Sequence, residues 1–213
     1  MTAAIDEYVT LDKAYKYFNE HLFGGQLPDC IITLQHGKPK SLGYFHFEKF
    51  QSRDGKDLLS ELALNPDRFN ERTDIEILST VAHEMAHVWQ AYVMGETPRN
   101  GYHDKVWGAE MQEIGLMPSN TGEPGGKATG QQMTHYIIEG GNFEIAAGAF
   151  LLGHKLSWNS QPPLTKEAKK KKQTRVKYVC PDCMTNIWAK PGIEVTCTEC
   201  QVAFVPEETG EKD

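Results

Sequence analysis

Two groups of residues in this chain carry metal-ligating side chains at spacings that bring them together. In His83-Glu84-Met85-Ala86-His87 the histidines are four residues apart, so on a helix their imidazoles leave one face, a turn apart. That suits two corners of a tetrahedral zinc ion, with Zn–N distances of about 2.0–2.1 Å. Glu84 directly follows His83 and so lies beside the remaining coordination position. There a carboxylate can take a proton from metal-activated water and return it to a leaving amine. A bound zinc lowers the pKa of that water to about 7, which makes this chemistry available at neutral pH. The plain alternative is a pair of surface histidines on an amphipathic helix, and the largely apolar, well-capped helix around the motif argues against it.

A catalytic site of this kind needs a third protein ligand. The downstream candidates are His103, Glu110, Glu113, His135 and His154. His103 follows a turn-forming stretch, Thr97-Pro98-Arg99-Asn100-Gly101, that can return a second helix antiparallel to the first, with His103 at its start. Glu110, further along that helix, is the rival, because a second-helix Glu serves in many metalloproteases; geometry favours His103. Peptide cleavage also needs a group to stabilise the developing oxyanion. His135 or Tyr136 could donate to it, although packing on a strand is the simpler role for both. His21, His36, His46 and His154 have no partner pattern and read as structural.

The second group is Cys180-Pro181-Asp182-Cys183 and Cys197-Thr198-Glu199-Cys200, with 13 residues between the pairs. Two Cys-x-x-Cys turns present four thiolates to one ion at about 2.3 Å and close its tetrahedron. Closed coordination leaves no water position, so this zinc is structural. A redox dithiol is the alternative, but two such pairs in one short module argue against it. The remaining cysteine, Cys30, lies in the apolar run Cys30-Ile31-Ile32-Thr33-Leu34 and reads as an inert buried thiol.

The zinc helix must start cleanly for its histidines to be held. Thr73-Asp74-Ile75-Glu76 is a capping-box pattern, and Ile75, Leu78, Ala82, Met85, Trp89 and Val93 recur at helical spacing to form a core face; Gly95 is a stop. A helix over Leu11–Leu22, capped by Thr10, precedes it, with strands over Ile31–Gln35, Leu42–Phe47 and Leu58–Leu64 between them. Downstream come a helix over His103–Ile114 and a Gly-rich loop over Pro118–Gly130. A strand over Thr134–Ile138, a helix over Phe143–Leu152 capped by Asn142, and a strand over Lys155–Trp158 follow. The fold class is α+β, with helices on a small, mainly antiparallel sheet.

Charge divides the 213 residues into blocks. Residues 1–160 hold 13 Lys and Arg against 21 Asp and Glu, residues 161–177 hold 7 against 1, and residues 178–213 hold 2 against 7. This suggests a main domain at 1–160, a basic linker at 161–177, a small module at 178–205 and an acidic tail at 206–213. In the small module Tyr178, Ile187, Trp188, Val195, Val202 and Phe204 can pack around the metal, which must supply much of its folding free energy. Lys169, Lys170, Lys171, Lys172, Arg175 and Lys177 could neutralise phosphates, with Tyr178 or Trp188 stacking on bases; a solvated linker is the bland reading. No apolar run is long enough to span a membrane, and residues 1–10 lack the features of a secretory signal. A cytoplasmic protein, nucleoid-associated if it meets DNA, with no membrane partner, is expected; the sequence does not set its oligomeric state, and a monomer is the simplest expectation.

The sequence resembles the SprT-like family over most of residues 10–160. Asn19-Glu20-His21-Leu22-Phe23-Gly24-Gly25-Gln26-Leu27-Pro28 looks like that family's opening helix and Gly-x-Leu-Pro exit, and Leu62-Ala63-Leu64-Asn65-Pro66 like the strand before the zinc helix. His83-Glu84-Met85-Ala86-His87-Val88-Trp89 matches the motif itself. His103-Asp104-Lys105-Val106-Trp107 aligns with the segment bearing the third histidine, with Tyr102 and Asp104 where the family commonly has glycines. The resemblance implies a zincin-like domain, zinc on His83, His87 and His103, and Glu84 as the catalytic residue. It also implies a C-terminal zinc ribbon, and a DNA-stimulated endopeptidase acting on DNA-bound or DNA-crosslinked proteins. Two zinc ions per chain are expected, one catalytic and one structural. The competing class is a non-catalytic zinc protein that binds DNA or regulates transcription.

Overall fold

The computed structural model describes residues 3–37, 41–96, 101–160 and 175–207. The chain divides into two compact units, Met1–Gln161 and Pro162–Asp213. The expected turn residues 97–100, most of the basic linker and most of the acidic tail lie outside the described residues.

The first unit is α+β. Helix α1 (Ala3–Leu22) leads to strands β1 (Cys30–Leu34), β2 (Gly43–Gln51) and β3 (Leu58–Leu64). These form one sheet in the order β1-β3-β2, with β1 parallel and β2 antiparallel to the central β3. After a 3₁₀ turn at Pro66–Glu71 comes α2 (Asp74–Tyr92), then α3 (Lys105–Glu113), an antiparallel pair of strands β4 (Leu116–Ser119) and β5 (Thr134–Ile137), and α4 (Asn142–Leu151). The core joins Leu11 and Phe18 of α1, Leu62 and Leu64 of β3, Leu78 and Met85 of α2, and Phe143 of α4. Phe18 meets Phe143 with ring centroids 5.6 Å apart, within the range where tilted aromatic pairs attract.

Helix α2 is framed on several sides. Every residue from Ile77 through Ala86 is buried, so the apolar stripe faces the core while Ser79, Thr80, His83 and Glu84 are enclosed as well. Its start is set as the capping pattern requires: the Glu76 carboxylate accepts from the Thr73 backbone N–H at 2.7 Å and from its hydroxyl at 2.8 Å.

Several expected boundaries are displaced, each for a visible reason. Helix α1 begins at Ala3, and Thr10 lies inside it with its hydroxyl donating to the Asp6 carbonyl at 2.9 Å rather than capping. Helix α3 begins at Lys105 because Asp104 caps it, accepting from the N–H groups of Val106 and Trp107 at 2.9 and 3.0 Å. Helix α4 takes Gly141 as its cap, and Asn142 donates across to the Glu113 carbonyl at 2.9 Å. Lys155–Trp158 forms no strand. Its backbone N–H groups go to carboxylates: Leu156 to Asp74 at 3.1 Å and Ser157 to Glu7 at 3.0 Å. Strand β4 runs into the segment expected to be loop and takes in its first residues, Pro118 and Ser119.

The second unit is a three-stranded antiparallel ribbon of β6 (Val176–Val179), β7 (Asn186–Ala189) and β8 (Val205–Pro206), in the order β7-β6-β8. Among its described residues only Tyr178, Cys180 and Cys197 are buried. Trp188, expected to pack inward, is 64% exposed. Among the described residues no helix is long and apolar enough to cross a membrane.

Candidate metal centres and active site

Helix α2 delivers His83, Glu84 and His87 together. The two imidazoles face each other edge-on with centroids 5.4 Å apart, as the one-turn spacing requires. His103 arrives from the chain ahead of α3 and comes within 5.4 Å of the His83 ring and 4.7 Å of the His87 ring, centroid to centroid. Ligand atoms of the three lie within 4.8 Å of one another. His103 stands two residues ahead of the helix, not at its first turn. Its N–H donates to the Gly130 carbonyl at 2.7 Å, and the Gly130 N–H donates back at 3.0 Å. This backbone clasp holds His103, the third candidate ligand, against the end of the loop that follows β4.

Burial sets the charge state of this cluster. It holds His83 well below the usual imidazole range, helped by His135 and the other two rings. His87 is pushed down to about 3 by burial and by His103, and His103 is lowered chiefly by burial. All three therefore remain neutral near pH 7, the form that donates a lone pair to a metal. Three converging neutral imidazoles fit a zinc ion with an open fourth position.

Glu84 lies beside them, 5% exposed. Burial raises its carboxyl to about 8, offset in part by a hydrogen bond from the Phe45 backbone N–H. That contact exists because β2 passes close by. A Cβ on Gly43 would stand 2.8 Å from the Ala63 carbonyl and 3.1 Å from Glu84 Oε1, so only glycine leaves room. Among the described residues β2 pairs with β3 alone. Beyond it a cleft of about 930 Å³ is lined by β2 residues from Gly43 to Phe47, by the three histidines and by Glu84.

The remaining candidates separate clearly. Glu110 joins neither the histidine cluster nor the cleft lining; it is half-buried on α3, its carboxyl raised to about 7 by burial and by Glu113. Both ring nitrogens of His135 are engaged within the protein, Nδ1 with His83 Nδ1 at 3.1 Å and Nε2 with Ser79 Oγ at 2.8 Å, which removes it as an oxyanion donor. Tyr136 does not line the cleft, whereas Tyr102, overlooked in the sequence, does. His46, expected to be structural, also lines it. His21 and His154 bond carbonyls in their own helical segments, and His36 pairs with Asp67 at 2.8 Å. Cys30, expected to be buried, is half-buried on β1; the Tyr15 hydroxyl donates to its sulfur at 3.6 Å, and burial pushes its thiol up to about 11.

In the ribbon, Cys180, Cys183, Cys197 and Cys200 converge with sulfurs within 4.8 Å of one another. Cys183 and Cys197 sulfurs are 3.8 Å apart, close to the edge of about 3.8 Å that a tetrahedron of 2.3 Å Zn–S bonds requires. The four thiols thus fit one closed structural ion. Tyr178 cannot stack on a base: it is 3% exposed, and its hydroxyl donates to the Lys190 carbonyl and accepts from the Gly192 N–H. Arg175 is exposed, Lys177 pairs with Glu207 at 2.9 Å, and Lys169–Lys172 lie outside the described residues.

The fold and the site are consistent with a metallopeptidase-type domain: an α+β unit with a buried Glu between two histidines on a helix and a third histidine brought in from outside. The SprT-like family model matches residues 11–129, and the chain belongs to that family. It is also similar to an uncharacterized protein in the mucB 3′ region of Salmonella typhimurium, with 40% identity over 57 residues, which is 27% of this chain and 76% of that protein. No solved structure matches.

Proposed function

We propose that the chain is a zinc-dependent endopeptidase that cuts extended or unfolded segments of proteins bound or crosslinked to DNA. The observation that carries this is the buried Glu84 carboxyl beside three converging neutral histidines, on a cleft bounded by a free strand edge. His83, His87 and His103 would hold the ion. Zinc bound there would supply Lewis-acid polarisation of the scissile carbonyl and a water of lowered pKa. A peptide lying along β2 can continue the sheet through backbone hydrogen bonds, which select extended chain over folded protein. The buried Glu84 carboxyl would return to its ionised form beside the positive charge of a bound ion. It would then take a proton from the attacking water and pass it to the leaving nitrogen, one carboxyl serving as base and then as acid. Enclosure by α2 and β2 limits competing water around that carboxyl.

The DNA side of the proposal is supported by Trp188, which is exposed and can stack on an unpaired base, by the exposed Arg175 of the same unit, and by the positive charge of the run Lys169–Lys172 ahead of it in the sequence. The test is cleavage of a DNA-bound protein, or self-cleavage, with and without single-stranded DNA. Glu84→Gln keeps the side-chain size and removes the base, so a loss of about 10²–10⁴-fold is expected with zinc still bound. Unchanged cleavage in that variant would sink the mechanism. DNA binding by the wild type with no proteolysis under any condition would favour the non-catalytic zinc protein instead.

A further inference from the structure

His135 on β5 touches His83, and its environment determines which proton each ring carries. The reasoning starts from the far end. Ser79 Oγ lies 2.8 Å from the Glu76 carbonyl oxygen, which can only accept, so the Ser79 hydroxyl proton is committed there. Ser79 Oγ is therefore an acceptor toward His135 Nε2 at 2.8 Å, and that nitrogen must carry a proton. A neutral imidazole protonated at Nε2 has a bare Nδ1. His135 Nδ1 is 3.1 Å from His83 Nδ1, so it accepts, and His83 must be the donor. His83 is then protonated at Nδ1, which leaves Nε2 bare.

We propose that His135 and Ser79 are positioning residues that lock His83 in the Nδ1-protonated tautomer, so that its Nε2 is the atom offered to the metal. The proposal rests on reading His83, His87 and His103 as metal ligands. The chain of donors runs one way, from His83 through His135 and Ser79 to a backbone carbonyl in the first turn of α2. Its end point is fixed twice more: Arg72 donates to the same Glu76 carbonyl and to Thr80 Oγ1, and the Glu76 carboxylate closes the helix cap on Thr73. A ligand histidine commonly donates its other N–H to a carboxylate, a carbonyl or water. Here the acceptor is a second histidine, whose own orientation is set by a serine on the same helix as the ligand. The strand pair β4–β5 thereby acquires a role: it carries the acceptor across to α2. His103 has a simpler version, with Nδ1 3.3 Å from the Gly130 carbonyl, which likewise leaves its Nε2 bare.

The test reads metal affinity and tautomer rather than proteolysis. Zinc is titrated against a competing chelator for wild type, His135→Leu, His135→Asn and Ser79→Ala, with the ribbon's zinc as an internal reference. His135→Leu keeps bulk without an acceptor and should weaken zinc at the histidine site by about 10–100-fold. His135→Asn offers Oδ1 near the position of Nδ1 and should keep most of the affinity, whereas the ribbon ion should not respond to any variant. Equal loss in His135→Leu and His135→Asn, or no loss in His135→Leu, would overturn the proposal. Nitrogen-15 histidine spectra of zinc-loaded wild type give a reading that no folding defect can confuse. His83 protonated at Nδ1 and His135 protonated at Nε2 are expected, and the opposite tautomer at either ring overturns it. A wild-type chain that binds no zinc at these histidines removes the site reading as well; normal binding that His135→Leu leaves unaffected removes only the role of His135.

Discussion

Glu84 is a carboxyl in an environment hostile to its charge, and that has a measurable cost in the metal-free protein. Its pKa is raised from an ordinary 4.5 to about 8 by burial. Between those values the folded protein keeps the proton while the unfolded chain has lost it. The unfolded state then binds fewer protons, so this group makes stability fall as pH rises from 4.5 to 8. Glu84→Gln removes the effect. In chelator-treated protein the variant should melt above wild type, by a gap that widens from pH 5 to pH 8 and then levels, on the order of a few kcal/mol at most. The histidines act in the opposite sense. Their lowered pKa values mean stability is lost as pH falls below about 6.5, where the unfolded chain takes up protons that the fold refuses. Melting temperatures across pH 4–9 test both, and a pH-independent gap between wild type and Glu84→Gln would contradict the burial argument.

Elements decide how those residues meet, and here sequence and structure diverge in instructive ways. Helix α2 was legible because its signals are local: the Thr73–Glu76 cap, the apolar stripe and the two histidines lie within about five turns. His103 was legible as a candidate, but its placement depends on a bridge to Gly130, 27 positions on. The failure of Lys155–Trp158 to form a strand depends on Asp74 and Glu7, 82 and 150 positions away, which no local pattern carries. The role of β2 was equally hidden. Its glycine gives no motif, yet the approach of backbone to carboxylate depends on it. Gly43→Ala should force β2 away from Ala63 and Glu84, costing about 1–3 kcal/mol as overpacking does and lowering cleavage. A wild-type melting temperature in this variant would show that β2 yields more easily than the 2.8 Å contact implies.

At the scale of the whole molecule, the two candidate metal centres stand on very different foundations. The first unit has an extended apolar core drawn from α1, β3, α2 and α4, and its histidine site occupies one side of that core. The ribbon buries only Tyr178, Cys180 and Cys197 among its described residues, two of them candidate ligands, so an ion held by the four cysteines would stand in for an apolar core. Removing zinc should therefore separate the two. After exhaustive chelation, backbone amides of β6 and β7 should exchange with solvent as in an unfolded chain, while those of β3 and α2 stay protected. A variant with His83→Ala and His87→Ala together should still hold one zinc, and its ribbon amides should remain protected until that ion is taken away. A chain that holds a single zinc when intact would contradict the two-site reading. Ribbon amides that stay protected without metal would mean that partly buried residues such as Ile187, Val195 and Phe204 suffice to fold the module.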